Sequence, residues 1–187
     1  MSLWTCKKDK KEEPSIGVVY KQVNQSVRYW DPNPIIADMN NDGKVDFTFW
    51  SQIVAYGGAD HLYFGISTIG QNQARMMSGL EYPFLNCLKV QAQDAGSVIE
   101  MQTQAGTSWS SESGMLVIRH SGEHSVAYEG HWHDESQKML AVRLLINGKY
   151  HFGWVRLKYN KEQPGSMTLV DFAWNKKPEQ SIKAGQR

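Results

Sequence analysis

The chain has 187 residues, 41% of them hydrophobic and 21% charged, which suits one domain with a real core or at most two small ones. Its formal net charge is +1, and apart from one lysine cluster near the start both signs are dispersed, so it lacks the basic footprint of a nucleic-acid-binding protein. No apolar run approaches the ~20 residues that a membrane-spanning helix needs.

The chain starts "MSLWTCKKDKKEEPS", a charged, lysine-rich lead that cannot pack into a core and reads as a disordered tether over residues 1–15. Cys6 stands inside it, with Leu3 three residues earlier. The stretch resembles the start of a mature bacterial lipoprotein, in which a lipidated cysteine precedes a short charged tether. That resemblance implies export, a signal peptide removed ahead of Cys6, and a membrane partner reached through the lipid. The location it implies is a bacterial outer membrane, periplasm or cell surface. The second cysteine, Cys87, lies in the apolar "PFLNCLKV" and reads as a buried thiol unrelated to Cys6.

From residue 16 onward β signals dominate. "IGVVYKQV" and "SVRYW" are β-branched and aromatic runs separated by "NQ", which predicts a hairpin or one bent strand. Next comes "DMNNDGKVDF", residues 38–47, with Asp38, Asn40, Asp42 and Asp46 at alternate positions around Gly43. Alternating oxygen ligands and a glycine for the sharp turn suit a hard cation, and the Lys44 carbonyl would join the four side chains around Ca²⁺. The twelfth position, where an EF-hand has a bidentate glutamate, is Phe49, so helical flanks are not implied. The competing reading is a metal-free polar turn, since Asn-Asp-Gly is good turn chemistry by itself.

The runs "VDFTFWSQIVAY", "DHLYFGIST", "LNCLKVQA", "SVIEMQTQ" and "GMLVIRHS" follow, each bounded by Gly, Asp, Asn or Ser clusters. Between them "GQNQARMMSGLEY" is the best place for one short helix. In "KMLAVRLLINGKYHFGWVRLKYN", Asn147-Gly148 predicts a two-residue type I′ hairpin turn. That turn sets Leu145 opposite Tyr150, Arg143 opposite Phe152, Ala141 opposite Trp154 and Val142 opposite Gly153. Both faces of the hairpin are apolar, which places it inside the domain. "SMTLVDFAW" is the last long strand. Many short strands between turn signals predict a single all-β domain over residues 16–187, an antiparallel sandwich or jelly roll with at most one short helix.

Residues 144–159 and 166–186 resemble the C-terminal part of exported bacterial proteins that often carry PEP-CTERM sorting tails. The matching residues are Phe152-Gly153-Trp154, Ala173-Trp174 and Ile182-Lys183-Ala184-Gly185. Asp38 to Phe47 also resembles the calcium loops of FG-GAP and dockerin-type repeats. These likenesses imply export and a β-rich fold; they imply no reaction.

Other chemistry is thinly signalled. In an extended "GHWHDES", His131 and His133 would share a face, with Asp134 or Glu135 adding a carboxylate and His120 or His124 approaching from a neighbouring strand. The competing reading is an exposed polar loop. Trp50, Trp154 and Trp174 sit in apolar runs and read as core. Trp109 and Trp132 sit in polar surroundings, where exposed rings could stack on a carbohydrate. Asp60, Glu81, Glu100, Glu112 and Asp171 are spread through the strands, and nothing marks two of them as a hydrolytic pair. No nucleophile elbow, phosphate loop or dinucleotide fingerprint is present. The balance favours a binding or envelope-structural role rather than catalysis, with a carbohydrate-active hydrolase or sugar-binding module as the alternative.

Overall fold

The computed structural model describes residues 17–82, 85–134, 137–162 and 165–187, and it is all-β. In chain order the strands are β1 (Val18–Arg28), β2 (Ile35–Ala37), β3 (Phe47–Tyr56), β4 (Ala59–Thr68), β5 (Gln73–Tyr82), β6 (Cys87–Val90), β7 (Ala92–Gln93) and β8 (Val98–Ile99). They continue with β9 (Thr107–Ser110), β10 (Gly114–Ser121), β11 (Val126–Glu129), β12 (Gln137–Ile146), β13 (Lys149–Asn160), β14 (Ser166–Asn175) and β15 (Ile182–Lys183). The tether and its Cys6 lie outside the described residues.

Thirteen strands form one sheet whose main path runs β1-β14-β13-β12-β5-β6-β10-β4-β3-β2, antiparallel except where β6 meets β10. The sheet curls until its two ends meet. β1 packs against β2 and β3, and the Ser51 hydroxyl donates to the Arg28 carbonyl across the seam at 2.7 Å. The two layers expected of a sandwich are therefore opposite walls of one nearly closed barrel, which hides the edges that an open sheet would expose.

Alternation along each strand sorts the side chains. Val142, Leu144, Val155 and Leu157 point into the main core with Phe47, Phe64 and Trp132. Ala141, Phe152, Trp154 and Ala173 point the other way, under a small cover formed by β8 and β15. The β12–β13 hairpin is thus buried on both faces, in the register that Asn147-Gly148 predicts: Ala141 pairs with Trp154, Val142 with Gly153, Arg143 with Phe152 and Leu145 with Tyr150. The "NQ" break is a bend within the single strand β1, with a register shift between Gln22 and Gln25 and Asn24 at φ 53°.

The helix expected over residues 70–82 is strand β5 instead. Ala74 and Met76 fill the core, and the strand pairs with β6, β9 and β12. These non-local partners override the weak local preference.

Candidate functional site

The 38–46 loop is closed at its neck by the Asp46 amide, which donates to the Ala37 carbonyl at 2.9 Å. Inside it the side chains take up the loop's own amides. Asp38 accepts from the Asp42 and Gly43 N–H groups at 3.2 and 2.9 Å, and Asn40 Oδ1 shares the Asp42 amide at 3.0 Å. Asp42 Oδ1 accepts from the Lys44 amide at 2.9 Å. Gly43 at φ 82° and Asn41 at φ 60° supply the left-handed turns that bring these oxygens round.

Asp46 has a different post. It is 5% exposed and turned under the loop, where Oδ2 accepts from the Met39 amide at 2.8 Å and Oδ1 from the Asn72 side-chain amide at 2.9 Å. Burial pushes its carboxyl above the usual carboxylate range, against the lowering effect of its hydrogen bonds from Met39, Asn72 and Asn40. Met39 is held from the other side as well, since the Trp174 indole donates to its carbonyl at 2.9 Å. The remaining loop oxygens, those of Asp38, Asn40 and Asp42, already accept from the loop's own N–H groups, so a cation would have to share or displace those donors. Among the described residues, no group of three or more His, Cys, Asp or Glu side chains is assembled for a metal. The loop's set includes a neutral amide and a backbone carbonyl, which suit a hard cation only if water completes the shell.

The loop forms one wall of a cleft of about 890 Å³. Met39, Ile146 and Trp174 line it, and Lys21, Lys149 and Lys176 stand around it. His151 also lines the cleft; its Nδ1 donates to the Asn175 carbonyl at 2.9 Å, and its ring meets Trp174 edge-on, centroids 5.5 Å apart. Sequence reading missed this site because its walls come from residues 19–21, 38–41, 146–151 and 174–178. The one local sign was Lys149 and His151, two apart after the hairpin turn and so on one face of β13.

For the histidines the structure shows the polar-loop reading rather than the extended one, with His131 and His133 both exposed. Residues 131–134 form a turn, not a strand, so His131 and His133 share no face. His131 Nδ1 accepts from the Ala92 amide at 3.2 Å, while His133 Nδ1 donates to the Gly130 carbonyl at 2.6 Å. Gly130 causes the break: at φ 93° it presses against the Leu116 carbonyl, where a Cβ would overlap the backbone. The turn drives Trp132 into the core at 0% exposure, so its ring cannot meet a sugar. Glu135 lies outside the described residues, and His124 sits exposed beside Glu123.

His120 finds a different partner. Its Nδ1 lies 2.7 Å from Nδ1 of His61, while His61 Nε2 reaches the Tyr56 carbonyl at 3.1 Å and His120 Nε2 reaches Glu129 at 3.0 Å.

Trp109 is half-buried rather than open. Its indole donates to the Glu100 and Met101 carbonyls at 3.3 and 3.1 Å, and the Arg75 and Arg143 guanidiniums each lie 5.0 Å from its ring. Among the described residues, the exposed indole is that of Trp30, 63% accessible beside the barrel seam. Asp171 is 2% exposed and held by Arg156, Arg187 and the Tyr20 hydroxyl, which makes it a structural clamp.

No protein-family model matches the chain, and neither the curated proteins nor the solved structures contain a significant match.

Proposed function

We propose that the protein is an exported bacterial binding protein of the cell envelope, anchored through a lipid on Cys6, whose 38–46 loop holds a structural calcium ion. The observation that carries the calcium reading is the convergence of Asp38 and Asn40 oxygens on one amide, that of Asp42. Oxygens that share a donor already lie close together, and a dication would relieve the repulsion between the Asp38 and Asp42 carboxylates. Asp46 then acts from below as the post that fixes Met39, rather than as a direct ligand. A ligand-binding role is supported by the adjoining cleft, which combines an apolar floor with a polar rim, as ligand pockets do. The anchor rests on the residues around Cys6 alone, and Cys6→Ser would release it from membranes.

A second reading, a sugar-binding or carbohydrate-active module, is favoured by Trp30, whose exposed ring could stack on a pyranose.

The test is a thermal melt of the full chain in Ca²⁺ and in EGTA. At ~100-fold excess over Kd the ion adds ~2.7 kcal/mol, which is about 5–10 °C for a chain of this size. Asp42→Ala should abolish the difference while leaving a folded protein. Superimposable wild-type curves would remove calcium from the account.

A further inference from the structure

The cleft beside the loop has an apolar floor and an unbalanced charge at its rim. Met39 is 2% exposed and Trp174 8%, so the floor is closed and well packed, with Ile146 beside them. Lys21, Lys149 and Lys176 are all exposed, and among the described residues no carboxylate lies in ion-pair range of any of them. Among the described residues, Asp38 is the one carboxylate lining the cleft, and its oxygens accept from the Asp42 and Gly43 amides. His151 is fixed through Nδ1 to the Asn175 carbonyl, which leaves Nε2 as the ring nitrogen able to meet a ligand.

From this geometry we propose that the cleft binds an amphipathic anion: an apolar body on the Met39–Ile146–Trp174 floor and an acidic head among Lys21, Lys149 and Lys176. A volume of about 890 Å³ is of the size that encloses a small organic molecule. Three ammonium groups without a carboxylate partner among the described residues, Lys21 resting 5.9 Å from the Phe172 ring centroid, favour an anionic head over a cationic one. The inference rests on the reading of a binding protein but not on the calcium ion.

The same head-and-tail chemistry is found in a free acyl anion and in an anionic membrane lipid, and the experiment separates them. Titration calorimetry with the full chain would use dodecanoate below its micellar concentration, with dodecyltrimethylammonium as the cationic control. The expected result is one dodecanoate per chain, no binding of the cation, and an affinity that falls as salt is raised. Lys149→Glu/Lys176→Glu should weaken dodecanoate at least ~10-fold, since two attractive charges become repulsive. Ile146→Asp should do the same through the floor. An unchanged thermal melt of each variant certifies its fold. Co-sedimentation with phosphatidylglycerol vesicles that the double lysine variant abolishes would identify the lipid as the source; dodecanoate binding without it would identify the free anion. Failure of dodecanoate and vesicles alike to bind, or equal binding of the cationic amphiphile, would overturn the proposal. The calcium melt does not depend on these lysines, so either result can fail while the other stands.

Discussion

Replacing Asp46 by asparagine conserves its shape and removes its charge, yet the geometry makes this a damaging change. Both carboxylate oxygens accept from fixed donors, the Met39 amide at 2.8 Å and Asn72 Nδ2 at 2.9 Å. Asn72 cannot flip to offer its oxygen, because that oxygen already accepts from the Leu145 amide at 2.9 Å. Whichever way an asparagine is turned, its NH₂ group faces one of the two donors. One hydrogen bond is lost and a buried donor is stranded, a cost of about 1–3 kcal/mol, and the bond that remains becomes neutral and weaker. Removing the burial penalty on the charge returns a part of this, because the carboxyl is held above its ordinary range. The net loss should be about 2 kcal/mol, or roughly 4–8 °C in Tm for a chain of this length. Urea and thermal melts of the wild type and Asp46→Asn in EGTA measure it without interference from calcium. Coincident curves would refute the argument that two acceptors are required here.

Two further outcomes follow from the same reasoning. Burial, then the charges of Lys89, Lys138 and His133, lower the pKa of His131, so the folded chain takes up fewer protons there than the unfolded one. Stability from this residue is present above the ordinary histidine value of ~6.5 and is lost as pH falls below it; His131→Asn, whose Oδ1 can take the Ala92 amide, should flatten that part of a urea-melt pH series. Gly130→Ala should cost about 3 kcal/mol or more, since it adds a Cβ against the Leu116 backbone at a positive φ; a melt within 1 °C of wild type, roughly the noise of the method, would contradict the close approach.

What was legible in the sequence was local. Asn147-Gly148 specifies a turn within four bonds of itself, and the register of β12 against β13 follows from it, down to Val142 opposite Gly153. The all-β class was likewise readable from β-branched runs between turn residues. The helix over residues 70–82 failed because Arg75, Met76 and Met77 carry no decisive period, and the partners of β5 lie on strands far along the chain. The curl of the sheet into a barrel was hidden for the same reason: it depends on β1 meeting β2 and β3. At the loop, the turn around Gly43 could be read from the spacing of its oxygens, but the turning-under of Asp46 required Asn72 to be in place. Trp132 was misjudged because its neighbours are polar, and only the collapse at Gly130 sends it inward. Trp30, in an aromatic run, stays outside instead.

Direct titration tests most plainly whether residues 38–46 hold a calcium ion. Calorimetry of the chelator-treated full chain with Ca²⁺ should give one site, with Mg²⁺ a poor substitute because it demands a tighter octahedral shell. Asp42→Ala should give no binding heat while its far-ultraviolet spectrum stays that of a β protein. A wild type that takes up no calcium, by heat or by equilibrium dialysis, would leave "DMNNDGKVDF" as a turn wired only to itself.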